Sequence, residues 1–155
     1  MGDWAAGCAT LVRAPRQMTT DFKEEQMASA TLKAATSSVA LTVSDLEKSL
    51  VFYSGLGFTV KDRYETDGKL EGVMLSAGDA LLGLSQDDFS KGRDRVKGVG
   101  MSYYVETDQD VADLAHRAKD AGVALNSEPA PMPWGPMGFS ATDPDGFKIT
   151  ICNRS

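Results

Sequence analysis

The sequence predicts an α+β protein built from one structural unit used twice. Two observations predict it. First, a β-branched run, an amphipathic stretch with a cap and a glycine stop follow one another from Ser38 to Gly57, and the same order returns from Val99 to Gly122. Second, each copy is followed by short apolar runs separated by turn signals, as in a strand meander. Aligning Val43-Ser44-Asp45 with Val105-Glu106-Thr107-Asp108 gives a repeat of roughly sixty residues, in pattern more than in letters.

In the first copy, Val39-Ala40-Leu41-Thr42-Val43 reads as a strand because β-branched side chains suit a pleated surface. Ser44, with Glu47 three residues on, has the form of a capping box. Leu46, Leu50 and Tyr53 then share one helical face, and Gly55 and Gly57 end the helix. Phe58 to Tyr64 alternates as a strand, Asp67-Gly68 is a turn, Val73-Met74-Leu75 is a strand, Gly78-Asp79 a turn, and Ala80 to Leu84 a strand. Gln86 to Gly98, with Lys91, Arg93, Arg95 and Lys97, reads as a solvated linker between the halves.

In the second copy, Val99 to Val105 is the strand, and Thr107 or Asp108 caps a helix with Val111, Leu114, Ala115 and Ala118 on one face. Gly122 stops it, and Val123 to Asn126 begins the next strand. Glu128 to Gly138 is too rich in proline for a central strand and reads as a loop carrying Trp134. Phe139 to Thr142 is a strand, Asp143-Pro144-Asp145-Gly146 a turn, and Phe147 to Cys152 the last strand.

Residues 1–36 lack strand alternation, and Asp21 to Ala35 holds only sparse apolar points. They read as an N-terminal extension, either a flexible arm or a segment packed on a neighbouring subunit, with Met18 and Met27 as alternative starts. Residues 37–153 form the domain, its modules near 37–86 and 98–153.

The chain has 155 residues and a net charge of −6. An acidic balance argues against nucleic acid, because phosphate binding needs a basic face. No stretch has the length of a membrane span. Ala5-Ala6-Gly7-Cys8 has the outline of a lipoprotein cleavage box, but neither a basic start nor an apolar segment precedes it. Cys8 and Cys152 make no disulfide framework, so a reduced, cytoplasmic protein is expected. The single histidine, His116, lies in the second helix and reads as a surface residue. No Ser-His-Asp set and no phosphate loop is present. Asp87-Asp88 and Glu24-Glu25 read as solvated carboxylates, and Cys152 as a buried thiol.

VALTVSDLEKSLVFYSGLGF, residues Val39 to Phe58, and the ending DPDGFKITI, Asp143 to Ile151, resemble the vicinal oxygen chelate superfamily: glyoxalase I, extradiol dioxygenases, fosfomycin-modifying enzymes and bleomycin-resistance proteins. The loop Pro133 to Phe139 resembles the one before the last hairpin of the bleomycin-resistance group. The resemblance implies two βαβββ modules whose sheets curl around one cavity, and a homodimer. The family's metal enzymes hold their ion with His and Glu from four strands. Those positions fall here on Ser38, Gly83, Gly100 and Thr150, none of which offers imidazole, carboxylate or thiolate. The departure from the family's pattern therefore removes the expected metal, and no cofactor is expected.

What remains is a cavity for a small-molecule ligand. Strand alternation aims Ser38, Ala40 and Thr42 inward, with Gly83, Ser85, Gly100, Ser102, Tyr104, Lys148, Thr150 and Cys152 from the matching strands. Trp134 stands at the mouth, either closing over a ligand or packing on its own domain. Two functions stay open at this point, beside a third in which the chain is a vestigial scaffold acting only through partners. One is a metal-free protein that binds or sequesters an antibiotic or metabolite; the other is a metal-dependent lyase or dioxygenase with non-standard ligands.

Overall fold

β1 (Ser38–Val43) leads into α1 (Leu46–Gly55), and β2 (Thr59–Thr66), β3 (Lys69–Ala77) and β4 (Ala80–Gln86) follow as a meander. The second copy runs β5 (Ser102–Thr107), α2 (Val111–Asp120), β6 (Ala130–Pro131), β7 (Met137–Thr142) and β8 (Lys148–Asn153). These elements come from a computed structural model that describes residues 31–155. Cys8 and nearly all of the N-terminal extension lie outside the described residues.

Each copy makes its own four-stranded mixed sheet, ordered β1-β4-β3-β2 and β5-β8-β7-β6. In both, the first strand lies parallel to the last, and the remaining pairs are antiparallel. A parallel pair needs a long crossover, and the helix with its following strands supplies it. The repeat is thus one of topology, two βαβββ modules in an α+β fold, and neither sheet closes into a barrel. The second module is thinner. Leu125 makes only an isolated bridge to Ala141 where a strand was expected at Val123 to Asn126. β6 holds two residues, and its proline, which has no N–H, sits on the sheet edge where that is tolerated. At the outer edge of the first sheet, all eight residues of β2 are exposed.

Under the helices lies a shared apolar core. Leu41 and Val43 of β1, Leu82 and Leu84 of β4, and Val73 and Leu75 of β3 pack with Tyr53, Leu56 and Phe58. Phe139, Ala141, Ile149 and Ile151 meet Val111, Ala115 and Ala118 of α2. Within this core the Ser49 hydroxyl is fully buried and has no hydrogen-bond partner. An unmade buried hydrogen bond costs about 1–3 kcal/mol. Ser49→Ala is therefore expected to stabilise the protein by about 1 kcal/mol, read as a higher urea midpoint at unchanged slope.

Both helix caps differ from the expected ones. Asp45, not Ser44, caps α1, its Oδ1 accepting from the Lys48 N–H at 3.1 Å. Ser44 is already committed, because its N–H donates to Asp145 Oδ2 at 2.9 Å and its hydroxyl donates to Asp145 Oδ1. Asp110, rather than Thr107 or Asp108, caps α2 by accepting from the Asp113 N–H at 2.9 Å. A carboxylate at this position also complements the positive end of the helix.

The segment Gln86 to Gly98 is not the solvated linker its charge run suggests. The Asp87 N–H donates to the Val43 carbonyl, and Asp87 is 5 % exposed. Its carboxylate accepts from Lys97 Nζ at 2.9 Å, Arg95 Nη2 at 2.8 Å and the Phe89 N–H at 3.0 Å. The Lys97 ammonium is buried as well, and donates onward to Ser44 Oγ at 2.7 Å. Nearby, the Tyr53 hydroxyl donates to Asp143 Oδ2 at 2.9 Å, while Asp143 Oδ1 accepts from the Asp145 and Phe147 N–H groups. The β7–β8 turn of the second module is thus tied to the β1–α1 junction and to both ends of the linker. Gly98 lets the linker pass, at φ +71° and against the Gly146 backbone.

These bonds set a pH response. Lys97 and Arg95, with the Phe89 N–H, hold the Asp87 carboxyl well below the usual carboxylate range. A carboxyl lowered on folding contributes stability above its unfolded value of 3.8, and that stability is lost as pH falls below it. Asp143 has the opposite sign. Burial raises it in spite of its donors, so its contribution declines as pH rises through its folded value. Asp87→Asn is expected to flatten the fall in stability below pH 4, measured by urea unfolding in steps of pH.

Candidate functional site

Alternation along β1 divides its residues as the sequence suggests. Leu41 and Val43 are buried beneath α1, while Ser38, Ala40 and Thr42 are exposed on the other face. Register with β4 sets Ser38 beside Leu81, Ala40 beside Gly83, and Thr42 beside Ser85. In the second sheet, β5 and β8 pair Ser102 with Lys148, Tyr104 with Thr150, and Glu106 with Cys152. Paired residues of parallel neighbours share a face, so Ser102, Tyr104 and Thr150 stand together. Ser140 of β7 joins them opposite Thr150.

Trp134 reaches this face from the tip of the β6–β7 hairpin. The Gly135 N–H donates to the Met132 carbonyl at 2.9 Å, and the Met132 N–H to the Pro136 carbonyl at 2.8 Å. Pro133 follows Met132 in this tight turn, and proline's fixed φ suits that position. The turn presents Trp134 to Tyr104, ring centroids 5.7 Å apart and nearly edge-on at 70°. Trp134 and Tyr104 remain 50 % and 51 % exposed, so both residues are open for contact. Thr150 and Cys152 beneath them are buried, and burial raises the Cys152 thiol, helped by the Glu106 charge.

Eight of the residues singled out by sequence thus fall into two groups. Ser102, Tyr104, Trp134 and Thr150 belong to the second module; Ser38, Thr42 and Gly83 belong to the first; Gly100 lies two residues before β5. Clefts of about 520, 430 and 260 Å³ among the described residues are lined by other side chains. Sequence reasoning missed Glu106 as a member of the Tyr104 face, although the step of two from Tyr104 was a signal for it.

The four positions that hold a metal in the family do not fit one here. Ser38 and Thr150 offer neutral hydroxyls, whereas divalent transition metals favour imidazole, thiolate or carboxylate. Gly83 and Gly100 offer nothing; space around them is not the reason, although Gly100 also has a left-handed φ of +72°. A Cβ on Gly83 would meet Ala40 at an ordinary 3.5 Å, and one on Gly100 would meet nothing within 4 Å. Among the described residues no group of three or more His, Cys, Asp or Glu is placed to hold a metal. His116 is an exposed residue of α2, 3.3 Å from Asp120. No helix among the described residues is long and apolar enough to cross a membrane.

A family model described as the glyoxalase/bleomycin resistance protein/dioxygenase superfamily matches residues 36–151. Solved structures share the fold. A hypothetical protein of S. aureus, SA1046, is 25 % identical with a TM-score of 0.61, covering 83 % of this chain and 99 % of its own. A superfamily member from Sphaerobacter thermophilus is 25 % identical with a TM-score of 0.59, at 80 % and 100 % coverage. A bleomycin resistance determinant encoded on transposon Tn5 is 20 % identical with a TM-score of 0.60, at 79 % and 99 % coverage. No curated protein matches the chain.

Proposed function

Because the chain belongs to the glyoxalase/bleomycin resistance protein/dioxygenase superfamily, we propose that it binds and sequesters a small, partly aromatic molecule, an antibiotic or a metabolite, without a metal. The observation that carries this reading is the half-open Tyr104–Trp134 pair, standing on one sheet face with the Ser102 and Thr150 hydroxyls. A ring laid against such a pair gains roughly 0.5–1.5 kcal/mol beyond its buried area, and a few hydroxyls fix its orientation. The donor-poor set Ser38, Gly83, Gly100 and Thr150 favours binding over a metal-dependent lyase or dioxygenase. In this reading residues 37–153 are the binding domain, working in the cytoplasm as a homodimer whose second copy completes the cavity, and residues 1–36 are an extension to it.

The test is calorimetric titration of a panel of aromatic antibiotics and metabolites into wild type, Tyr104→Ala and Trp134→Ala. Calorimetry is preferred because Trp134→Ala removes the fluorophore and leaves Trp4. At least one compound is expected to bind, and each substitution to weaken it about tenfold, equivalent to about 1.4 kcal/mol. Binding that neither substitution weakens would place the site elsewhere. About one bound metal per subunit, lost on replacing Ser38 or Thr150, would restore the enzyme reading.

A further inference from the structure

The face that carries Tyr104 is charged at its two ends and nowhere between. Reading across β5 and β8, one end holds Ser102 and Lys148, the middle Tyr104 and Thr150, and the far end Glu106 and Cys152. The residues that β7 adds to this face, Thr142, Ser140 and Gly138, are uncharged. Lys148 and Glu106 are both exposed, and neither side chain makes a hydrogen bond or ion pair among the described residues. Elsewhere Asp87, Lys97 and Asp145 satisfy one another and Arg154 meets Asp108, while the unpaired strand charges Lys61, Asp62, Arg63 and Glu65 lie together on the outer edge of the other sheet, away from any exposed aromatic pair. The two free charges stand four residues apart along a strand pair, roughly 13 Å at about 3.3 Å per residue.

We propose that the ligand of this face is an elongated aromatic zwitterion, its anionic end at Lys148, its cationic end at Glu106 and its ring between them against Tyr104 and Trp134. The inference rests on the binding reading above and adds the polarity and length of the ligand to it. A neutral aromatic would leave both charges unanswered, and a singly charged one would leave one of them so. A dipolar rod answers both and keeps the same ring contact.

The probe is 4′-(aminomethyl)biphenyl-4-carboxylate, with biphenyl-4-carboxylate and 4-phenylbenzylamine as its singly charged counterparts, each titrated calorimetrically into the full chain. The zwitterion is expected to bind about tenfold tighter than either counterpart. Lys148→Met should weaken the zwitterion and the carboxylate about tenfold and leave the amine unchanged. Glu106→Gln should weaken the zwitterion and the amine and leave the carboxylate unchanged. Both sites are exposed, and an unshifted thermal midpoint checks that the variants are folded. If both variants bind all three probes as wild type does, or if no probe binds, the end-charge assignment is overturned. Trp134→Ala separates the two levels: binding that it weakens keeps the aromatic site and discards only the polarity, whereas binding indifferent to it discards both.

Discussion

Gly98→Ala is expected to remove a large part of the protein's stability, more than about 4 kcal/mol. A Cβ at this position would lie 2.2 Å from the Gly146 carbonyl carbon, 2.3 Å from its oxygen and 2.5 Å from the Phe147 nitrogen. All three are backbone atoms, so no side-chain rotation relieves the clash. The left-handed φ of +71° adds about 1–2 kcal/mol for a residue with a Cβ. Moving the 143–146 turn aside would also break the Ser44–Asp145 and Tyr53–Asp143 bonds. The combined loss should exceed about 4 kcal/mol, the range where a single mutation is exceptional, against a total of about 5–15 kcal/mol for a typical domain. Gly100→Ala is the internal control. It has the same handedness, φ +72°, but open space around it, so only the conformational term remains. Urea unfolding followed by circular dichroism compares the two, and equal losses would show that the Gly98 approach is not as close as described.

Lys97→Met is expected to cost about 3 kcal/mol, because removing one partner of a buried ion pair strands the other. Lys97 is 5 % exposed and touches Asp87 at 2.9 Å, Ser44 at 2.7 Å and Asp145 at 3.9 Å. Arg95 stays on Asp87, which keeps the loss at the lower end of the range for buried pairs. Combining Lys97→Met with Asp87→Asn should recover part of the loss, since the stranded carboxylate is then neutral. A double variant less stable than the sum of the two singles would argue that Lys97 acts through something other than Asp87.

How much of this was legible in the sequence depends on the range of the interactions involved. The division of β1 into Leu41 and Val43 on one side and Ser38 and Thr42 on the other is a period-two signal, and the helix above it enforces that period. Misread parts trace to partners far along the chain. Ser44 has the residue type of a cap, yet Asp145, 101 positions away, takes both its donors. Lys97 and Asp87 sit in a run that looks solvated, and nothing local marks them as buried. β5 begins at Ser102 rather than Val99 because Gly98 and Gly100 both adopt positive φ, which an extended strand excludes. At the candidate site, Tyr104, Thr150 and Ser102 follow from alternation, while Trp134 meeting Tyr104 depends on the hairpin geometry of a segment legible only as a proline-rich loop.

The outer edge of the first sheet limits how copies of this chain can meet. An open strand is a template for strand addition, and proteins blunt such edges with charge or with brevity. β2 uses charge: Lys61, Asp62, Arg63 and Glu65 would all have to be desolvated by a strand laid alongside. β6, at the corresponding edge of the second sheet, uses brevity and a proline. Aggregation by edge-to-edge growth is therefore opposed at both outer margins. The margins that remain, β1 and β5, carry Ser38, Thr42, Ser102 and Tyr104, so strand addition there would place the neighbouring copy directly beside the residues that would hold the ligand.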